Sequence, residues 1–442
     1  MDAVDQRCMR KVLQRFLPLL LVCYVISYLD RVNVGYAALT MNRDLGLSNA
    51  AYGLGAGLFF ITYFAFEIPS NIALQRFGAR RWIARIMFTW GILSAAMALV
   101  QGEMSLYVVR LLLGAAEAGF LPGIIFFLTL WVPSRWRATY VGTFMVAIPI
   151  ASVVGAPVSA FLIDGAGLWG LKSWQTMFIV EAIPALFLSL VVFKVLRDKP
   201  EDAEWLSDAE KRWLVATLAA ERAQGVGHRH ESILPIFRDA TMWGLAYIYF
   251  CLAGISYGLS FFLPQIMKDA HLSIIQTGFA TAAPFLIGAV GMVLWGRSSD
   301  RHQERRGHAL VAHGLAIGGL VAAVFVPSPI AKIAAFSVSA LGLMSALPVF
   351  WTLPNLLTRS TVGAAGIAMI SSIGNLSGFV QSVLMGVIRD RTGSYSAGLL
   401  LIAAVAAVGL VVLLRMSRRI GRGSENELSG NREVGIEGAP PV

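Results

Sequence analysis

Phe16-Leu-Pro-Leu-Leu-Leu-Val-Cys-Tyr-Val-Ile-Ser-Tyr-Leu-Asp-Arg-Val-Asn33 is apolar as far as Leu29 and then sets an acid and a base side by side, Asp30 and Arg31. The apolar run reaches to about Leu39. It is too long for the core of a cleavable signal and lacks a small-residue cleavage pattern, so it reads as a retained transmembrane helix. A bilayer core about 30 Å thick needs roughly 20 such residues per crossing. Twelve runs qualify: 16–38, 51–74, 81–101, 105–130, 138–163, 173–196, 239–264, 274–296, 308–326, 329–355, 361–388 and 394–415. They are numbered helix 1 to helix 12. The predicted fold class is therefore an all-α membrane protein.

Composition agrees. Of 442 residues, 57% are hydrophobic and 14% charged, where a soluble domain carries nearer a quarter. The net charge of +10 does not mark a nucleic-acid binder, because the bases fall in short loops between apolar runs. With the N-terminus inside, 28 of the 36 Lys and Arg lie in cytoplasmic segments and six in outer loops. Arg31 and Arg110 remain, inside apolar runs. Both termini are expected in the cytoplasm, and the chain in the inner (plasma) membrane as a multi-pass protein.

The longest polar segment, 197–238, divides the chain. Residues 1–196 are expected to form one six-helix bundle and 239–416 the other, with a disordered cytoplasmic tail over 417–442. Ser207-Asp-Ala-Glu210 reads as a capping box starting a short amphipathic linker helix. Leu206, Trp213, Leu214 and Leu218 give that helix an apolar side, which either rests on the inner membrane surface or is a solvated linker face. The loops after helix 2 (Gln75-Arg-Phe-Gly-Ala-Arg-Arg81) and after helix 8 (Gly296-Arg-Ser-Ser-Asp-Arg301) are both short and basic and hold equivalent places in the two halves.

A charge within lipid costs at least roughly 2.5–3.5 kcal/mol on insertion scales, so Asp30, Arg31, Arg110 and Glu117 should face a cavity or a partner. At 1.5 Å per residue, Asp30, Arg31 and Arg110 share a level just outward of the middle, with Glu117 about two turns deeper. Arg110 and Glu117 share a helix face but are too far apart to bridge. Asp30 and Arg31 point about 100° apart, so one can meet helix 4 while the other faces a cavity. Arg31 is expected to be the one that faces the cavity and to bind a carboxylate there, because its planar fork pairs bidentately and stays charged when buried. Asp30 and Glu117 are the candidate proton carriers: burial favours the neutral carboxyl and a nearby guanidinium the ionised one, so moving the Arg switches protonation. The structural alternative is that all four form buried ion pairs that fix helix packing.

Tyr28-Leu-Asp-Arg-Val-Asn33, Phe66-Glu-Ile-Pro-Ser-Asn71, Arg76-Phe-Gly-Ala-Arg-Arg-Trp82, Arg110-x3-Gly114-x2-Glu117-Ala118, Gly374-Asn-Leu-x-Gly-Phe379 and Arg389-Asp-Arg-Thr-Gly-Ser-Tyr395 together resemble the major facilitator superfamily. More narrowly they resemble its anion:cation symporter branch, of the phthalate and tartrate permease type. The resemblance runs from about Lys11 to Met416. It implies two six-helix bundles alternating access to a central site, with Arg31 on the substrate carboxylate and Asp30 and Glu117 carrying protons. Tyr28, Tyr63, Trp351 and Asn375 would line the site, and Arg110, Arg76, Arg80 and Asp300 would be charge partners or gating residues. Gln75 stands where the superfamily motif has Asp, while Asp300 keeps that acid in the second half.

Tyr257 and Gln265 are further candidates for the cavity wall, against ordinary packing. The apolar middle of helix 5, Phe144 to Ile150, favours an aromatic or dicarboxylic acid over a sugar acid. No Walker, hydrolase or zinc-ligand motif appears, so no enzyme activity, metal or cofactor is expected beyond the proton as coupling ion. The expectation is proton-coupled uptake of a small organic carboxylate by a lipid-embedded monomer; export or antiport on the same fold is the alternative.

Overall fold

The computed structural model describes residues 3–168, 170–223, 237–302, 304–354 and 364–434. Among them every regular element is helical. Twelve helices among the described residues are long and apolar enough to cross a membrane: Val4–Leu45, Asn49–Phe77, Ala79–Leu99, Glu103–Trp131, Ala147–Asp164, Ser173–Val195, Ala240–Asp269, Ile274–His302, Arg306–Phe325, Pro329–Phe350, Gly366–Thr392 and Ser396–Met416. They correspond one to one with the twelve runs. Helices suit lipid because each satisfies its own backbone.

Three helices of the first half are interrupted. Helix 1 runs as Ala3–Val32 and Val34–Leu45, broken at Asn33. Helix 4 runs as Glu103–Glu117 and Phe120–Trp131. Between them Gly119 takes φ 85°, and a Cβ there would lie 2.4 Å from Ser70 Oγ. Helix 5 runs as Ser134–Met145 and Ala147–Asp164. Irregular backbone at membrane depth is tolerated only inside protein or beside a cavity. Two of the three breaks fall within two residues of Arg31 and Glu117.

The halves are pressed together toward their outer ends. In helix 2, a Cβ on Gly53 would lie 2.3 Å from the Ser382 carbonyl oxygen of helix 11. Gly278 of helix 8 sits against Ala156 and Ala160 of helix 5, and Gly35 of helix 1 against the Ser260 and Phe261 carbonyls of helix 7. Asp390 of helix 11 accepts from the backbone N–H of Ala50 at 2.7 Å and the side-chain amide of Asn49 at 2.7 Å. It thereby satisfies donors at the helix 2 N-terminus that have no partner within their own helix. The structure is closed on the outer side.

The linker helix, Asp208–Ala223, begins on the predicted box: Ser207 N–H donates to Glu210 Oε2 at 2.8 Å and Glu210 N–H to Ser207 Oγ at 3.4 Å. Its apolar side does not lie on lipid. Leu206, Leu214 and Leu218 are buried, Trp205 stacks on Trp131 of helix 4 with centroids 5.7 Å apart, and Lys11 of helix 1 pairs with Glu210 at 2.8 Å. Burial pushes the Glu210 carboxyl up, but the hydrogen bonds from Lys11 and Ser207 outweigh it and hold the group below the ordinary carboxylate range. At the other end, helix 12 continues to Val434, whereas 417–442 reads from sequence as disordered. An established span supplies the nucleus, so each further turn costs little even in a polar sequence. Residues 435–442 lie outside the described residues.

Candidate substrate and proton site

Arg31 sits two residues before the break in helix 1, and Glu117 is the last residue before the break in helix 4. Arg31 Nη2 pairs with Glu117 Oε1. Ser27, one turn earlier in helix 1, donates to the same oxygen at 3.0 Å. Both partners are buried, Arg31 to 7% and Glu117 to 1% exposure. The guanidinium lies over Tyr63 and Phe59 of helix 2, with its carbon 4.9 and 5.3 Å from the ring centroids. A cation stripped of water gains from such ring faces.

Asp30 points elsewhere. It accepts from Trp90 Nε1 and Ser94 Oγ of helix 3 and from Asn33 Nδ2 at 3.3 Å. Of the adjacent pair, Arg31, expected to face the cavity, is thus the one that meets helix 4, while Asp30 meets helix 3. Arg110 bonds neither acid: it donates to the carbonyls of Gly55 at 3.3 Å and Ala56 at 3.0 Å and lies over Phe59, pinning helix 4 to helix 2.

The second half contributes Tyr257, whose hydroxyl donates to Asn375 Oδ1 at 3.1 Å and whose ring packs on Phe60 at 4.4 Å. The Tyr28 hydroxyl lies 3.4 Å from Ser256 Oγ, joining helix 1 to helix 7 across the halves. Trp351 packs on Tyr249 at 5.0 Å and Phe350 at 5.3 Å, and Tyr249 in turn fills the space that a Cβ on Gly374 would need. Tyr249 and Tyr257 both lie within electrostatic reach of Arg31. Gln265 is not part of this group; it accepts from the Tyr395 hydroxyl at 2.8 Å within the outer seam.

The cytoplasmic candidates stand apart. Arg76 lies over Phe77, Arg80 over Phe193, and Asp300 pairs with Arg305 at 2.6 Å. The loop after helix 2 lacks an acid of its own at Gln75, yet one is present: Asp198, beyond helix 6, accepts the Arg80 backbone N–H at 2.9 Å.

Two intramembrane acids escape the four-residue reading. Glu67 of helix 2 accepts from Ser372 of helix 11 at 3.2 Å, and Glu181 of helix 6 accepts from Ser159 at 2.6 Å. The rule that singled out Asp30 applies equally to both, since each lies within an apolar run. Ser27 and Ser256 carried no sequence signal, because a serine in a membrane helix commonly bonds its own backbone. Among the described residues no group of three or more His, Cys, Asp or Glu could hold a metal ion. The arrangement can exchange ionic partners and protons around one guanidinium.

Residues 20–382 match the Major Facilitator Superfamily. The chain is 45% identical over 415 residues to a putative tartrate transporter of Agrobacterium vitis, covering 94% of this chain and 92% of that one. It is 40% identical to a quinolone resistance transporter of Acinetobacter baumannii over 409 residues, 92% of this chain and 94% of that one. Among solved structures it resembles a bacterial homologue of the human lysosomal transporter Spinster in an inward-facing, occupied conformation. The TM-score is 0.68 at 18% identity, over 92% of this chain and 96% of that one. The twelve spans, the outer-side closure and these likenesses lead to one conclusion: the chain belongs to the Major Facilitator Superfamily and is a multi-pass transport protein of the inner membrane.

Proposed function

We propose that the protein takes up a small organic anion together with protons, and that the anion's carboxylate takes the place of Glu117 on Arg31. The observation that carries this reading is the Arg31–Glu117 pair, buried between two helix breaks and faced by Tyr63 and Phe59. With no anion bound, Glu117 neutralises the guanidinium. Glu117 meets Arg31 through Nη2 alone and leaves its Nε without a partner, so an arriving carboxylate can offer a bidentate match. Glu117, displaced, would be left charged in a dry seam at a cost of several kcal/mol, unless a proton neutralises it. Anion and proton therefore load together. Asp30 is the second coupling acid.

The energetics favour more protons than substrate charges. An entering anion is opposed by about 2.3 kcal/mol per charge per 100 mV, and each extra proton reverses that amount. The aromatic residues around Arg31 suit an aromatic or dicarboxylic acid, and the 45% identical relative is named for tartrate. The test is uptake into proteoliposomes after a pH jump, screening aromatic acids, dicarboxylates and sugar acids. Acid outside should drive accumulation of one class; accumulation driven only by an outward-directed substrate gradient at equal pH would refute coupling. A second reading, export or antiport on the same fold, draws on the quinolone resistance relative. It predicts accumulation inside everted vesicles whose lumen is acidified, where symport predicts efflux.

A further inference from the structure

Glu181 has no part in the exchange at Arg31. It lies roughly 12 Å below the outer end of helix 6 at 1.5 Å per residue. The residue is 4% exposed. Ser159 of helix 5 donates to its Oε1, while its Oε2 is buried without a partner. Asn33, at the break in helix 1, donates to Asp30 Oδ1 at 3.3 Å and lies beside Glu181. Helix 1 turns Asp30 and Tyr36 toward Glu181, helix 5 turns Ser159, and helix 3 supplies Trp90 and Ser94 on the far side of Asp30. Beyond Asp30, Glu117 and Arg110 of helix 4 act on that acid through space. Among the described residues, the charged group acting on Glu181 is itself an acid, Asp30. Two carboxylates cannot both stay ionised in a seam this dry.

The same residues lie under the outer gate. Ser159 sits beside Ala156 and Ala160, which carry Gly278 of helix 8. Tyr36 lies beside Thr281 of helix 8, and Gly35 touches the helix 7 backbone. Parting this seam brings water to Glu181; closing it removes that water, which penalises a carboxylate and spares a carboxylic acid.

We propose that Asp30, Asn33 and Glu181 form a second proton site, separate from Arg31–Glu117, and that the outer gate closes over it when it holds a proton. This rests on the proton-coupled reading and gives it a site for a second proton filled from outside.

The test needs no substrate, so its failure is distinct from a failure of proton-driven uptake. The full chain in lipid nanodiscs carries spin labels at Leu168→Cys and Ile330→Cys, exposed positions on opposite halves, while the three native cysteines are buried. In the wild-type background the ratio of open to closed outer distances should rise with pH, by up to about tenfold per unit for one linked proton. In Glu181→Gln the ratio should stay closed and flat. Infrared titration of the unlabelled protein supplies a second readout. A protonated-carboxyl band should be lost in Glu181→Gln and shifted in Ser159→Ala, which keeps the acid but removes its donor. Label distances that ignore pH in the wild-type background, a Glu181→Gln protein that keeps the wild-type response, or a carboxyl band unchanged in Glu181→Gln would each overturn the proposal.

Discussion

Arg31→Ala separates the account from simple packing. Glu117 is 1% exposed, and its counter-charge is Arg31. Truncating one member of a buried pair leaves the other uncompensated, at a cost of about 3–5 kcal/mol. Losing the contacts with Tyr63 and Phe59 adds about 1–2 kcal/mol. The first part depends on the charge of Glu117 and the second does not. The double variant Arg31→Ala/Glu117→Gln removes the stranded carboxylate and keeps the loss over the rings. At alkaline pH it should be more stable than Arg31→Ala alone by about 3 kcal/mol, the cost of the stranded carboxylate. The gap should narrow in acid, where a proton does the work of the amide. Neither variant should bind a carboxylate. The assay is thermal unfolding of purified protein at alkaline and acid pH, with and without tartrate. An Arg31→Ala protein as stable as wild type in alkali, or a double variant no more stable than the single one, would refute the reasoning.

Glu117→Gln should keep substrate counterflow yet lose acid-driven uptake, since the amide can still release Arg31 but carries no exchangeable proton; proteoliposome flux in the two modes checks this. Gly53→Val places a side chain where a Cβ already lies 2.3 Å from the Ser382 carbonyl oxygen, so it should hold the outer seam apart. Thiol labelling of an added Ala56→Cys, a position 0% exposed in the closed structure, should then become rapid. Glu210→Gln should loosen the linker helix at neutral pH by about 1 kcal/mol, or roughly fivefold faster amide exchange over 208–223. Because the folded Glu210 carboxyl is held below the ordinary range, its contribution is complete above that range and is lost as pH falls through the depressed value. Wild type should therefore converge on the variant only in acid.

The twelve spans were legible because each must bury a continuous apolar run, and length alone identifies it. Asp30, Arg31, Arg110 and Glu117 were legible because lipid makes charges conspicuous. Their partners were not. Periodicity places Asp30 and Arg31 about 100° apart, but which one meets helix 4 depends on helix crossings that no local pattern encodes. Three further features needed coordinates. The breaks at Asn33 and Gly119 interrupt runs that hydropathy reads as continuous. Asp198 replaces the acid absent at Gln75 from a position more than a hundred residues away in sequence. The apolar side of the linker helix reads alike whether lipid or protein covers it, and the burial of Leu214 and Leu218 distinguishes them.

The central claim is that a substrate carboxylate displaces Glu117 from Arg31 and that a proton fills the vacancy. Proton uptake on binding measures it directly, by titration calorimetry of the organic acid that the uptake screen selects, in buffers of differing ionisation enthalpy. The account predicts about one proton taken up per anion bound near neutral pH, and none in Glu117→Gln, which should still bind. Binding with no proton uptake in the wild type, or equal uptake in Glu117→Gln, would contradict it.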